Sequence, residues 1–248
     1  EPYRRQRQMC IRDSTNTVWV GDVKYKDISG PDGVPDGVID DYDKTNIGSP
    51  MPKFTFGWTN TFRYKNFDLS VFINGSYGNK VYNYLSMKLT HMNSPWTNQL
   101  NAVNGRAQLV PINPNKVYED ETMWYNDVSN VMVANPGASI PRATINDPND
   151  NDRISDRYIE DGSYIRLKNI SLGYTFPKKT IDKLGLSNLR IYANIQNLLT
   201  ITGYDGYDPE IGASTSSVNV YDLDNGRYPS PTVYSFGLNV SFLSLIHI

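Results

Sequence analysis

Val233-Tyr234-Ser235-Phe236-Gly237-Leu238-Asn239-Val240-Ser241-Phe242 is the stretch of sequence that decides the fold. Large apolar side chains alternate along it with small or polar ones, so a strand places one apolar face opposite one polar face. At about 3.3 Å per residue such a strand suits either a sandwich core or a tilted crossing of an outer membrane, which needs roughly 9–11 residues. The rest of the chain must decide which surface the apolar face meets.

The composition of the 248-residue chain excludes several classes of protein. No run approaches the ~18 consecutive apolar residues of a membrane helix, whereas a β-barrel keeps a low mean hydropathy because only every second residue meets lipid. The 18 tyrosines suit such a barrel, or a saccharide-binding β protein. A net charge of −2 without any basic stretch argues against a nucleic-acid partner.

Both ends of the chain look like non-native sequence. Residues 8–13 look like the translation of a sequencing adapter, and residues 243–248 look like the translation of its reverse complement. The alternative is a natural basic N-terminus and an apolar tail. We therefore expect residues 1–14 and 243–248 to be non-native and residues 15–242 to form one β-structured domain. Without Cys10 the chain has no cysteine for a disulfide or for thiol catalysis.

Alternation of the same kind predicts further strands. Two such segments separated by the step Lys65-Asn66 predict a tight hairpin. Another segment changes the parity of its apolar residues, which predicts a β-bulge near Lys168-Asn169. The predicted strands are 53–64, 67–74, 163–176, 189–195 and 233–242, with weak strands at 18–20, 116–118 and 131–134, a short helix within 81–92 and a helical turn at 178–184. The weak strands 116–118 and 131–134 are a candidate hairpin.

The lengths of the connections favour a membrane barrel. If the final strand ends on the periplasmic side, then the long connections 25–52, 78–161 and 199–231 all lie outside the cell and the short turns lie inside. Short periplasmic turns with long extracellular loops are typical of outer-membrane barrels, and a β-sandwich has no reason to sort its loops in this way. The five long strands and the weak strand at 18–20 make six, which would leave open edges, so the sequence predicts an all-β fold that forms part of a larger transmembrane barrel.

An acidic loop resembles a calcium-binding loop. With Asp32 at position 1, the residues Asp36, Asp40 and Asp43 fall at positions 5, 9 and 12, which supply oxygen ligands in an EF-type loop. Val34 at position 3 offers no oxygen ligand, and a start at Asp27 would require a bulge. The alternative is a surface loop whose aspartates cap turns. The candidate cofactor is a structural calcium ion.

A catalytic interpretation is weaker than a structural one. An acidic stretch could supply paired carboxylates for glycoside hydrolysis, but it lies in an irregular loop and is better interpreted as solvated. His91 has no partners at ligand spacing and is interpreted as a surface residue. The chain is therefore predicted not to be an enzyme. The acidic residues are Asp147, Asp150, Asp152, Asp156, Glu160 and Asp161.

Several segments in order along the chain resemble the C-terminal part of SusC/RagA-type TonB-linked outer-membrane transporters. They are 53–57, 64–72, 75–79, 166–174, 189–192, 196–198, 207–210 and 237–242. The resemblance implies a barrel of about 22 strands with an N-terminal plug, a SusD-like surface lipoprotein, energy from the TonB complex, and import of an oligosaccharide or peptide. It also implies an outer-membrane location, with lipid around the barrel and Phe242 as a terminal aromatic signal for barrel assembly.

Loop aromatics are the candidate ligand contacts, because a flat apolar ring with a polar rim can stack on a sugar. Packing within the loops or anchoring at the membrane interface is the alternative for each of them. The candidates are Trp96, Trp124, Tyr125, Tyr204, Tyr207 and Tyr221. The competing function for the whole chain is a secreted carbohydrate-binding β-sandwich module, which would stay soluble without detergent.

Overall fold

The computed structural model describes residues 18–120, 123–210 and 223–242. The terminal segments predicted to be non-native, 1–14 and 243–248, lie outside these ranges, and so does Tyr221. The chain divides into two compact units. The first holds the described residues up to Ile47 together with Tyr84–Tyr158, and the second holds Gly48–Asn83 together with the described residues from Ile159 onward.

The described residues are mainly strands joined by irregular connections. In chain order the strands are β1 (Phe54–Tyr64), β2 (Phe67–Tyr77), β3 (Lys80–Tyr82), β4 (Leu109–Pro111), β5 (Val131–Val133), β6 (Ile159–Asp161), β7 (Tyr164–Thr175), β8 (Leu186–Thr202) and β9 (Val233–Phe242). The α-helices are α1 (Tyr84–Thr90) and α2 (Lys178–Ile181), and short 3-10 helices span Asp41–Asp43, Asn101–Gly105, Met123–Asn126, Asp156–Tyr158 and Asp182–Leu184.

One five-stranded antiparallel sheet dominates the second unit. Its strand order is β1-β2-β7-β8-β9, so each long strand pairs with the long strand that follows it in sequence. The hairpin predicted about Lys65-Asn66 is confirmed, since β1 and β2 pair from Tyr64–Phe67 to Phe54–Tyr77. The final strand has its predicted bounds. β8 is longer than predicted, because pairing with β7 continues as far as Thr202.

The predicted bulge in β7 is present. Asn169 pairs with Phe72 and Leu167 pairs with Ile73, which leaves Lys168 without a partner in β2. The pairing with β8 is irregular at the same point. The extra residue restores the apolar side chains on both sides of it to one face of the sheet.

The smaller elements differ in part from the predictions. In the first unit β5 forms a strand as predicted, but its partner is β4 rather than residues 116–118. Residues 116–118 and 18–20 form no strand. The Asn113 and Asn130 side chains explain the first difference, because they hold the chain beyond β4 in a turn. In the second unit β3 pairs with β6.

The sandwich interpretation has no support in the fold. A sandwich needs a second sheet packed on the first, about 10 Å away. Within the described ranges the other sheets have only two short strands each. The five-stranded sheet is therefore not half of a sandwich built from these residues.

Candidate functional site

The apolar face of the large sheet is exposed. Phe62 pairs with Leu69 on this face, and the alternation continues across the remaining strands. The side chains of Trp58, Phe62 and Phe236 are 54%, 56% and 84% exposed. A contiguous apolar patch of this extent marks a surface that meets a partner or a membrane. This face is the first candidate functional surface.

Aromatic rings lie near both ends of the strands on the apolar face. Phe54 and Tyr77 have ring centroids 5.4 Å apart at one end of the first hairpin. Phe67 at the other end of that hairpin contacts Tyr174, with centroids 4.7 Å apart. Between these two groups the apolar face of β2 carries the aliphatic Leu69, Val71 and Ile73, whereas β1 also carries aromatic side chains between its ends. Aromatic girdles that flank an apolar band are typical of membrane barrels.

The opposite face of the sheet is polar and charged. Arg190 on β8 donates to Asp68 on β2 with an Nη2–Oδ2 distance of 2.6 Å, so the pair spans β7. Gly173 of β7 lies beneath the pair, where a Cβ atom would collide with both side chains. Asn169 and Asn194 on this face each have a buried carbonyl oxygen without a hydrogen-bond partner in the described part of the chain. Such a face suits water or a polar partner and not hydrocarbon.

A buried ionic cluster holds the connection after β8 against the sheet. The guanidinium of Arg166 donates to the carboxylates of Asp208 and Glu210, and its Nη1–Oε2 distance to Glu210 is 2.6 Å. Lys168, at the bulge, donates to the same Glu210 oxygen at 2.6 Å. The Arg166 side chain is only 3% exposed. Sequence reasoning missed this cluster, because its basic members lie more than 40 residues before its acidic members.

Asp208 is held in its charged form within this cluster. Burial acts to raise the pKa of the Asp208 carboxyl, but donation from the Ser230 amide, the Arg166 guanidinium and the Glu210 amide lowers the pKa below its ordinary value. The Ser230 amide donates to Asp208 Oδ2 at 3.0 Å. One carboxylate therefore ties together three points of the second unit.

Tyr204 does not have the position expected of a ligand contact. Its side chain is buried, and its hydroxyl donates to Asp224 Oδ2 at 2.5 Å. Burial and the adjacent Asp224 carboxylate raise the pKa of the Tyr204 hydroxyl. Asp224 is itself 2% exposed, and its backbone amide donates to the carbonyl of Tyr82. Tyr204 is therefore a packing residue that holds Asp224, near the end of the connection between β8 and β9.

The other predicted ligand aromatics are distributed over both units. Trp96 in the first unit is 92% exposed, and Tyr207 in the second unit is 61% exposed. Trp124 and Tyr125 form an edge-to-face pair with centroids 5.8 Å apart. The Tyr125 hydroxyl also accepts a hydrogen bond from Arg142 at 2.6 Å. Trp96 and Tyr207 thus present rings to solvent, while Trp124 and Tyr125 are half-buried.

The aspartates of the acidic loop cap turns. Asp40 and Asp43 form a capping box around the 3-10 helix Asp41–Asp43. Asp43 also accepts from the amides of Ile28 and Ser29, and these bonds together with the Asp40 amide lower the pKa of the Asp43 carboxyl. Asp36 accepts from the amide of Val38. In this arrangement Asp43 serves as a turn cap; calcium binding by Asp32, Asp36, Asp40 and Asp43 stays a prediction.

His91 is not the surface residue that its isolation in the sequence indicated. Its ring is 11% exposed, with Nε2 2.9 Å from Asp147 Oδ2 and Nδ1 3.1 Å from Asp152 Oδ2. Asp147 is buried and also accepts from the amide and the side chain of Asn151. The interpretation of the acidic stretch as solvated is therefore wrong for Asp147. Within the described ranges, His91, Asp147 and Asp152 are the only three residues of the types His, Cys, Asp and Glu whose potential metal-ligand atoms all lie within 4.8 Å of one another.

The cluster around His91 belongs to a larger polar core of the first unit. Asn151 donates to Asp22 at 3.2 Å, and Arg142 Nε lies 2.7 Å from Asp22 Oδ1. Asn149 donates to the carbonyl of Val23 at 3.0 Å. The density of Asp and Asn in residues 146–152 was the available signal, because these side chains often bond to backbone in irregular segments. These contacts join distant segments of the first unit and so stabilise it.

No helix in the described ranges has the length and apolar character required to cross a membrane. No family model matches the chain. Individual relatives do match. The chain is 35% identical over 211 residues to the TonB-dependent receptor P3 of Formosa agariphila, which covers 83% of this chain and 18% of the relative. It is 33% identical over 231 residues to the TonB-dependent receptor P26 of the same organism, and the match covers 90% of this chain and 20% of that relative.

More distant similarity points the same way. The TonB-dependent receptor SusC of Bacteroides thetaiotaomicron is 27% identical over 209 residues, covering 83% of this chain and 17% of SusC. Solved structures of the RagAB peptide transporter and of the closed-closed RagAB peptide importer share the fold with TM-scores of 0.53 and 0.56 at 20% identity. The first match covers 79% of this chain and 18% of the transporter chain, and the second covers 86% of this chain and 20% of the importer chain.

The chain spans about one fifth of the length of the curated relatives it matches. These relatives are named as receptors and not as enzymes, which agrees with the prediction from the sequence that the chain is not an enzyme. Over most of its length the chain is homologous to TonB-dependent receptors, SusC among them, and it shares the fold of the RagAB structures.

Proposed function

We propose that the five-stranded sheet is part of the wall of a transmembrane β-barrel in the outer membrane, and that the whole protein imports a nutrient with energy from TonB. The observation that carries the proposal is the exposed apolar face with aromatic rings at both ends of its strands. In a barrel that face meets lipid, and the face with the Asp68–Arg190 pair meets the lumen.

The dimensions of the apolar face support this proposal. From Phe54 to Tyr64 the ten-residue step along β1 measures about 33 Å. With the tilt of roughly 40° usual in membrane barrels, this length spans about 25 Å of depth, which is the height of the apolar band of an outer-membrane barrel. On β9 the aromatic limits are Tyr234 and Phe242, and the same calculation gives roughly 20 Å.

The connections also support a membrane orientation. The two-residue turn after β1 and the short turn after β7 lie at the same end of the strands, and the long connections leave from the opposite end. The end with the short turns would be periplasmic and the other end extracellular. Phe242 ends β9 at the periplasmic edge, where an aromatic could contribute to recognition during barrel assembly.

The ligand is proposed as an oligosaccharide or a peptide. RagAB is described as a peptide transporter, and loop aromatics suit stacking on sugar rings. Trp96 and Tyr207 are the proposed contacts in the described structure, because their rings are exposed. By analogy with RagAB and SusC, the partners are proposed to be a SusD-like surface lipoprotein and the TonB complex.

Adjacent residues on opposite faces of β2 provide the test. A nitroxide label would be placed at Val71→Cys on the apolar face or at Ser70→Cys on the polar face of the full-length protein in lipid vesicles. The Val71 label should collide with oxygen, which concentrates in lipid, and be shielded from a water-soluble nickel complex. The Ser70 label should not show this preference. Equal access of the nickel complex to both labels would refute the barrel-wall proposal.

A further inference from the structure

The apolar face of the sheet is not uniform but contains a groove. Its volume is about 550 Å³, and its side walls are Phe67, Leu172, Tyr174, Ala193, Phe236 and Leu238. The groove exists because Ala193 is small, while its paired neighbours Leu172 and Phe236 stand on either side of it. The backbone at Gly173 and Gly237 forms part of its floor. The lining is almost entirely hydrocarbon and aromatic carbon.

The groove crosses the strands and does not run along them. It begins at Phe67 on β2, crosses β7 and β8, and ends at Phe236 and Leu238 on β9. Three strand spacings of about 4.8 Å give a length of roughly 14 Å. Phe67 adjoins the short turn at one edge of the sheet. Leu238 lies four residues from Tyr234 and four from Phe242, midway between the aromatic limits of β9.

Three lysines lie in the two turns next to the end of the groove at Phe67. Lys65 lies in the turn before Phe67, and Lys178 and Lys179 begin α2 a few residues after Tyr174. The two turns adjoin, because Asn66 Nδ2 donates to the carbonyl of Thr175 at 2.8 Å. The three lysines are exposed and have no ion-pair partner in the part of the chain that the structure describes.

We propose that this groove binds one acyl chain of an anionic phospholipid whose head group contacts Lys65, Lys178 and Lys179. The inference rests on the proposed barrel, which places the lysines at the periplasmic boundary and the far end of the groove near the centre of the membrane. An acyl chain matches the apolar lining and the length of the groove. Unpaired lysines at a membrane boundary favour an anionic head group over a zwitterionic one.

Lipid retention by the full-length protein tests the proposal. The protein would be purified in a neutral detergent, titrated with dioleoyl phosphatidylglycerol or dioleoyl phosphatidylcholine, and examined by native mass spectrometry for bound lipid. We expect one phosphatidylglycerol to be retained and phosphatidylcholine to be retained at least about tenfold less. The combined variant K65Q/K178Q/K179Q should lose this preference. Lys53→Gln, at the opposite edge of the sheet, is the charge control.

A second pair of variants tests the groove itself. Ala193→Phe fills it, whereas Ile195→Phe adds a ring to the same face of β8 outside it. Ala193→Phe should abolish retention and Ile195→Phe should preserve it. Equal retention in these two variants, or equal retention of the two lipids by the unaltered protein, would overturn the proposal. The labels at Val71 and Ser70 would still show whether the sheet meets lipid, so failure of the groove is distinguishable from failure of the barrel.

Discussion

Lysine at Leu238 is expected to destabilise the protein strongly. The Leu238 side chain is 60% exposed and lies on the apolar face, four residues from each aromatic limit of β9. Four residues correspond to about 13 Å along the strand, and at a tilt of roughly 40° to about 10 Å of depth. Leu238 would then lie near the bilayer midplane, where an arginine or lysine costs about 2–4 kcal/mol.

A water-exposed sheet would give a different result. Surface substitutions in water usually change the free energy of unfolding by no more than about 0.5 kcal/mol. The two environments therefore differ by roughly 1.5 kcal/mol or more, which is about a tenfold change in the unfolding equilibrium constant. A difference of this size is measurable.

The assay is reversible unfolding of the full-length protein in lipid vesicles by denaturant, followed by tryptophan fluorescence. Leu238→Lys is compared with Phe242→Lys at the aromatic limit, where the cost should be about 0–1 kcal/mol, and with Ser235→Lys on the polar face. We expect the largest loss for Leu238→Lys. Losses that are equal at all three positions, or a neutral Leu238→Lys, would refute the assignment of this face to lipid.

Three further predictions concern the loops. Arg166→Met leaves the buried Asp208 carboxylate without its guanidinium and should cost about 3–5 kcal/mol, measured as faster proteolysis of residues 203–210 than in Lys183→Met. The pKa of Asp208 in the folded protein lies below its ordinary 3.8, so the carboxylate stabilises the fold fully above that pH and loses this effect as the pH falls through the folded pKa. Hydrogen-exchange protection of the Ser230 amide should therefore decrease below about pH 4 in the native protein. Protection that does not change with pH would contradict this. His91→Phe removes the two ring nitrogens that contact Asp147 and Asp152 and should lower the stability by about 1–3 kcal/mol in thermal unfolding, whereas His91→Gln should lose less.

Calcium binding by the acidic loop is tested by the same thermal measurement. If the loop binds calcium through Asp36 and its neighbours, millimolar calcium should raise the melting temperature, and Asp36→Asn should remove the increase. If the aspartates act only as turn caps, the metal should cause no change. Asp43→Asn separates the two roles, because it weakens the cap whether or not calcium is present.

The large sheet was predictable because its signal is local. Alternation over ten residues gave the bounds of β9, and the change of parity about Lys168 gave the bulge. The end of β8 was not predictable in the same way, because Asn197 has a positive φ that interrupts the alternation before Thr202. The resemblance to relatives added the family, which alternation alone does not supply.

The contacts within the loops were not predictable, because they join residues that are distant in sequence. His91 contacts Asp147 across 56 residues, and Arg166 contacts Asp208 across 42. Nothing local to His91 distinguishes a buried ring from an exposed one. Tyr204 shows the same limit, since a tyrosine beside Gly and Asp can equally stack on a ligand or pack beneath its own loop.

The two anchors of the connection between β8 and β9 have a practical consequence. Glu210 is fixed by Arg166 and Lys168, and Asp224 is fixed by Tyr204 and by the backbone of Tyr82. The residues between these anchors join two points whose positions the remainder of the unit already determines. Because the entropy of closing a loop grows only slowly with its length, an epitope tag inserted there should leave the wall unchanged. If the sheet is the proposed barrel wall, both anchors lie beyond the extracellular ends of β8 and β9, and an antibody against such a tag would label the assembled protein in living cells.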